Sequence, residues 1–519
     1  MKKVLKLLCL ALCISMLLTS FLTGCTKDSG DDPEPGKTSD PAKTSDGVVD
    51  TKPELEPYEV KWFFGGSGGE PDEKMVEDEI GKYLKDKINT TVDIVQIPLG
   101  EYNQRLMPIL QSGEKADLIF SCSWTQTVYF DQARTGLLTE ITDEMLDKYA
   151  PNIKKVLGAT PFLEGAKVDG KLYNIACNKE VGRQGGVLLN KALVDKYKFD
   201  LSTLKKYADL EPMLQKIKDN EPDVYPLGTC GNDTVEYLTA CYGDWSSSIL
   251  IRFPMNGTKW VPVTDIPEIV DIWRTMKRYG DLGFTREDAI SYPDVMPDLK
   301  AGKVFATHMQ LKPGKDKEFS PNTPGIEWVQ VGLTDYVVPT GDTTGSMMAI
   351  PATCEKPDRV LMFYDFFYHD KEMLTMVNFG IKDKHYVKID ENTIDYAPKT
   401  EGGKKSGWVH DTGWVIGNQF INYIKKGEDP NKYENLKNFN AQCKPFGEST
   451  GFIFDSSKCS DLVAKFNASG SDYYNLLNLG LAKDVDKAIE DQLKVWNEAG
   501  LQELLAEYEK QFAKFKASK

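Results

Sequence analysis

Gly65-Gly66-Ser67-Gly68-Gly69 satisfies Gly-x-Ser-x-Gly, the pattern of a serine nucleophile on a tight strand-to-helix turn. A strand precedes it and a helix follows, yet it ends the first strand of the domain. No His-Gly-Gly-Gly oxyanion loop comes later, and no histidine stands out as a base. A phosphate cradle fits no better: no Gly-Lys-Ser/Thr follows, and Glu70, Asp72 and Glu73 would repel an anion at that helix start. Gly66 and Ser67 therefore read as a ligand-facing or surface loop. The chain carries 78 Asp and Glu, so closeness of some carboxylate pair is expected by chance, and a glycosidase stays open as an alternative without a named pair. The four histidines, His308, His369, His385 and His410, have no metal-ligand spacing, and no Cys-x-x-Cys occurs. No metal and no cofactor are expected.

The aromatic loops carry a different chemistry. Polyhydroxylated rings are bound by flat apolar faces and by planar polar groups around them. Trp124 stands at a strand end between Ser123 and Thr125, with Ser121 close before it. Trp245 follows Tyr242-Gly243-Asp244, and Trp408 and Trp414 lie among glycines, His410 and Asp411, shortly before Asn418. Asn232 and Asp244 are candidate hydroxyl partners. Exposed loop polarity explains those two equally well, each loop tryptophan taken alone is more often core or lobe packing than a platform, and Trp62 in the first strand and Trp273 on an amphipathic helix read as core.

The elements that must hold these residues begin with Tyr58–Phe64, a strand, and a helix opened by Pro71. Val92–Ile97 is the next strand, Tyr102–Leu110 a short helix and Ala116–Phe120 a buried strand. Strand, helix, strand, helix, strand predicts a parallel α/β sheet, with ligands beyond the carboxyl ends of its strands. Gly65–Gly69 and Ser121–Trp124 fall at such ends. At the other end of the chain Leu501, Leu504, Leu505, Tyr508, Phe512 and Phe515 repeat at helical spacing and predict core packing.

The N-terminus bounds the compartment. Met1-Lys2-Lys3 followed by an apolar run to Leu22 reads as a secretory signal peptide over 1–24. Residues 25–57, rich in Asp, Pro, Lys, Ser and Thr, read as a disordered tether. The rest is long enough for two or three domain-sized cores. The net charge of −15 disfavours nucleic acid as a partner. The cysteines beyond Cys25 are odd in number, which argues against a complete disulfide framework; Cys230 and Cys241 are the most plausible pair.

Leu22-Thr23-Gly24-Cys25 resembles the bacterial lipobox, which implies that Cys25 is lipidated and anchors the protein to the outer face of the cell membrane. Asp169-Gly170-Lys171-Leu172-Tyr173 with Leu189-Asn190-Lys191, then Leu299–Ala306, then Ala349-Ile350-Pro351 with Pro357-Asp358-Arg359-Val360, resemble in order the extracellular sugar-binding family that includes maltose-binding protein. Gly380–Tyr386, Gly417–Phe420 and Gly451–Asp455 resemble its long Gram-positive lipoprotein relatives, which serve complex-sugar importers. The resemblance implies a type II periplasmic-binding-protein-like α/β fold: two lobes, a hinge and a helical C-terminal extension. It implies a first lobe of 58–167 completed by 338–382 and a second of 168–337 completed by 383–519. Trp124 would then belong to the first lobe and Trp414 to the second. His308, after the Gly302–Ala306 passage, would be a ligand contact. The implied function is the monomeric substrate-binding component of an ABC importer, handing an oligosaccharide to membrane permease subunits without chemistry. A secreted glycoside hydrolase or a structural surface lipoprotein remain the alternatives.

Overall fold

Tyr58–Gly66 forms strand β1, alternating exposed and buried up to Lys61 and then buried from Trp62 to Gly65. That shift marks a strand covered on both faces, as a central parallel strand is. In the computed structural model, which describes residues 55–518 apart from 67, 125–128, 232–234, 398–406, 409 and 411–412, β1 lies between β2 (Thr90–Pro98) and β3 (Leu118–Ser121), parallel to both. Helices α1 (Glu73–Ile88) and α2 (Tyr102–Ser112) connect them. On α1, Val76, Ile80 and Leu84 are fully buried, while Met75 faces solvent. The signal peptide, the tether and Cys25 lie outside the described residues.

Two further strands complete the first sheet. β4 (Asn174–Ala176) is its edge, and β9 (Met347–Ala349) runs antiparallel to both β3 and β4. The second sheet is built from β5 (Gln184–Asn190), β6 (Tyr225–Gly228), β7 (Val304–Leu311) and β8 (Trp328–Gly332), in the order β8-β5-β7-β6. Each sheet has its own core. Trp62, Phe64, Ile119, Met348, Phe363 and Phe367 are in the first. Leu189, Trp273, Met276, Phe305 and Trp496 are in the second. The C-terminal stripe joins the second: Leu501, Leu504, Tyr508 and Phe512 are buried, Leu505 and Phe515 pack beside them, and Tyr508 stacks on Phe454 at 3.9 Å and 7°.

Three chain segments pass between the cores, and they are bonded to one another. Arg183 and Val337 exchange backbone hydrogen bonds of 2.8 and 2.9 Å. Val337-Val338 pairs in parallel with Lys444-Pro445. The tight approach explains Gly182, where a Cβ would stand 2.3 Å from the Val337 carbonyl oxygen.

These crossings divide the chain differently from the boundaries implied by resemblance. Residues 168–181 stay with the first core, because Ile175 and Ala176 extend the first sheet through β9. The described residues of 383–443 also stay with it. His385 Nδ1 accepts from the Ile381 amide (2.8 Å) and its Nε2 lies 3.1 Å from the Asp72 carboxylate at the start of α1. Asn418 holds Asn178 at 2.9 Å, and Trp408, Val415 and Ile416 are part of the first core. Only the chain beyond Pro445 returns to the second. Trp414 packs against the first core and not the second. Cys230 and Cys241 are both free and buried, in separate hydrophobic clusters. Among the described residues no helix is long and apolar enough to cross a membrane.

Candidate ligand-binding cleft

Beside the first crossing segment lies a cavity of about 370 Å³, lined on one side by Trp414 of the first core and on the other by the end of β7 in the second sheet and the chain after it. Trp414 lines it from the first lobe, Glu180 and Gly182 from the crossing, and Tyr237, Met309, Gln310, Lys312, Lys315 and Glu318 from the side of the second sheet. The volume is at the lower end of the range for small-ligand sites, enough for the end of a sugar chain. An indole, a phenol and a thioether next to an amide and four charged groups is a lining suited to a ring with one apolar face and a rim of hydroxyls.

The charged groups are wired together. Lys312 Nζ stands 3.4 Å from Glu180 Oε2 and 3.1 Å from Glu318 Oε2. Lys315 reaches Glu318 at 2.8 Å and Lys179 reaches Glu180 at 3.4 Å. Burial opposes ionisation of Glu180 and Glu318, but the neighbouring ammonium groups outweigh it and hold both carboxyls below their usual values. Burial also opposes the charge on Lys312, and its two carboxylates hold its pKa up. Glu180, Glu318 and Lys312 are therefore charged at neutral pH.

The structure brings together part of the set singled out in the sequence. Ser123 donates from its amide to Thr344 O (3.0 Å) and from Oγ to Gly341 O (3.2 Å). Trp124 is 54% exposed, with Nε1 donating to Gly345 O at 2.6 Å. Gly341 also faces Trp245: a Cβ there would stand 3.8 Å from Ser123 Oγ and 3.9 Å from Trp245 Cζ2. Ser123, Trp124 and Trp245 thus gather on the segment 340–345 that follows the second crossing. The Trp245 ring is already engaged by cations, with the Arg183 and Arg252 guanidinium carbons 5.1 and 4.8 Å from its centre. Arg183 in turn makes a two-pronged pair with Asp342.

The remaining residues sit elsewhere. Asp244 is fully buried and accepts from Thr340 N (2.8 Å), Thr340 Oγ1 (2.7 Å), Ser449 Oγ (2.9 Å) and Trp245 N (3.0 Å). Burial pushes its carboxyl up to about 6 against the pull of those bonds. It fastens the chain just after two of the crossings and has no free lone pair to offer a ligand. His308 is 1% exposed on β7, 2.8 Å from the Tyr207 hydroxyl. Ser121 is buried beside a void of about 10 Å³, room for no more than a water. Gly66 pairs with Pro98, and a Cβ on it would come within 2.4 Å of Gln96 Oε1, so it packs against that side chain. Ser67 and Asn232 lie outside the described residues.

Glu180, Tyr237, Gln310 and Lys312 were not read from the sequence as site residues. Two signals pointed toward them. Lys179-Glu180 directly precedes the glycine-dense run Gly182–Gly186, and the family-like contact position at His308 is only two residues from Gln310. On β7 the residues change from buried at Thr307 and His308 to half-buried at Met309 and Gln310, so the strand meets the cavity at its end.

Comparison with known proteins agrees with this geometry. Residues 65–248 match the bacterial extracellular solute-binding protein family, and residues 448–517 match the domain of unknown function DUF3502. A carbohydrate ABC transporter substrate-binding protein of Streptococcus pneumoniae is 23% identical over 480 residues, covering 90% of this chain and 92% of that protein. The crystal structure of the N-glycan transport solute binding protein NgtS from Streptococcus pneumoniae aligns with a TM-score of 0.79 at 22% identity, covering 89% of this chain and 99% of that one. The same protein in complex with Man5GlcNAc aligns with a TM-score of 0.67 at the same coverage. By the match of residues 65–248, and by the two-lobed α/β type II fold of the described chain, it is similar to bacterial extracellular solute-binding proteins.

Proposed function

We propose that the chain is the substrate-binding component of an ABC importer, capturing an oligosaccharide in the cleft between its lobes and delivering it to membrane permease subunits. The observation that carries this reading is the cavity between Trp414 of the first core and the end of β7 in the second sheet, beside three adjacent crossing segments. A ligand held there contacts both lobes and so favours their approach. The named function of the pneumococcal relative and the glycan in the NgtS complex support a sugar as the solute. The unequal similarity to the two NgtS structures supports a fold with more than one arrangement of its lobes. The lobes we infer are 55–181 with 338–443, and 184–336 with 446–518.

The protein binds and releases; it is not an enzyme. A monomer suits this role, since one chain supplies the whole cavity lining. The lipobox-like Leu22–Cys25 supports export and anchoring through a lipid on Cys25, outside the membrane. Calorimetric titration with oligosaccharides, followed by chromatography of the recovered sugar, tests the binding role. Saturable binding with intact sugar is expected; shortened products would make it a glycosidase. Fatty-acid labelling should depend on Cys25, and undiminished labelling of Cys25→Ala would refute the anchor.

A further inference from the structure

We propose that Glu180 and Lys312 read a pair of neighbouring hydroxyls on a neutral sugar residue stacked on Trp414, and discriminate against sugars that carry a carboxylate. The inference rests on the reading of the cleft as an oligosaccharide site. Glu180 is 8% exposed and lines the cavity. Its Oε2 accepts no hydrogen bond among the described residues, the nearest cation being Lys312 Nζ at 3.4 Å. A buried carboxylate oxygen held only by one long ion pair is under-satisfied, and a hydroxyl arriving in the cavity would complete its bonding.

Lys312 complements it. An ammonium has three donors, and its two carboxylate neighbours stand at 3.1 and 3.4 Å. A third donor remains to meet the oxygen of the adjacent hydroxyl. Glu180 can only accept and Lys312 can only donate, so the couple matches a diol, in which one oxygen gives its proton and the next receives one. The Trp414 indole offers the flat face that orients the ring, and Gln310 a further planar donor and acceptor at the rim.

The same arrangement disfavours anions. The cavity lining holds two carboxylates, Glu180 and Glu318, and two ammonium groups, Lys312 and Lys315, so its charges already balance. Lys179, behind Glu180, is tied to that carboxylate. A ligand carboxylate placed on Trp414 would face Glu180 in a site of reduced dielectric, where like charges repel strongly. The net charge of the chain, −15, acts in the same direction at longer range.

The test titrates the purified protein with neutral manno-, gluco-, galacto- and xylo-oligosaccharides and with oligogalacturonides and alginate oligosaccharides of matched length. The best neutral sugar should bind at least about tenfold more tightly than any uronate. Glu180→Gln keeps the shape and removes the charge; it should weaken neutral binding about tenfold and narrow the gap to the uronates. If that variant melts early, Glu180→Gln combined with Lys312→Met, which removes both charges, is measured instead, and an unchanged preference for neutral sugar in that folded protein overturns the proposal. Tighter binding of uronates, or unaltered neutral affinity in Glu180→Gln, overturns it and leaves the importer role standing. Binding of no oligosaccharide of either class overturns both.

Discussion

Asp244 and Glu180 are both buried carboxylates close to the crossings between the lobes, and they are satisfied in opposite ways. The protein spends four of its own donors on Asp244, three of them from Thr340 and Ser449, distant in sequence. Glu180 lines the cavity and is held only by ammonium groups, one on each oxygen, at the long distance of 3.4 Å. A buried acid saturated by the chain is part of the fold, whereas one saturated only in part, at the wall of a cavity, is available to a ligand. Loss of the first should cost stability, and loss of the second should cost affinity.

The largest effect expected from this contrast is at Asp244. Asp244→Ala strands two hydroxyls and two amides in a dry site, and should lower unfolding free energy by about 3 kcal/mol, read by urea denaturation. Glu180→Ala, beside a cavity that admits water, should lose clearly less. Equal losses would erase the distinction. Next comes Trp414→Ala. Removal of an aromatic contact worth about 0.5–1.5 kcal/mol, together with apolar burial at roughly 25 cal/mol per Å², should weaken sugar binding tenfold or more. Its melting temperature should move less than that of a fully buried tryptophan, because the indole lines the cavity and only flanks the first core. A large fall in melting temperature with unaltered affinity would make Trp414 a packing residue.

A smaller effect is pH-dependent. The Asp244 carboxyl is raised by burial to about 6 from 3.8. A folded pKa above the unfolded value means that this group's contribution is full below about 3.8 and is lost as pH rises through about 6. Relative to Asp244→Asn, the wild type should therefore gain about 1 kcal/mol of stability between pH 7 and pH 5. Carboxyls held low, such as Glu318 and Asp455, act in the opposite sense but equally in both proteins. Thermal melts of the pair across that window check this; parallel curves would deny Asp244 its raised pKa. The smallest effect should come from Trp124→Ala. The indole is half-exposed and does not line the cavity, so affinity for short sugars should change less than about threefold, under about 0.7 kcal/mol.

Much of the scaffold was legible because its signals are local. The alternation of strand and helix over 58–121 predicted β1, β2 and β3 with their parallel order, and the helical stripe of the C-terminus predicted its packing. Trp62 and Trp273 are core, as their elements required. The site was less legible because burial there is decided over long sequence separations. Asp244 has the local appearance of an exposed loop acid and is enclosed by Thr340 and Ser449. His308 is enclosed by Tyr207, a hundred residues away. The lobe to which Trp414 belongs depends on where the third crossing falls, and that crossing is a two-residue pairing at Lys444-Pro445 with no motif of its own. Glu180 was passed over because a charged residue before a glycine-rich loop is usually solvated.

All of this presupposes that the two cores move relative to one another about the paired crossings and that sugar in the cavity draws them together. Small-angle X-ray scattering of the purified protein, with and without a saturating neutral oligosaccharide identified by calorimetry, measures that directly. A smaller radius of gyration is expected in the bound state, with the sugar recovered intact afterwards. An unchanged radius of gyration at demonstrated saturation would contradict closure and with it the assignment of the ligand to the cleft.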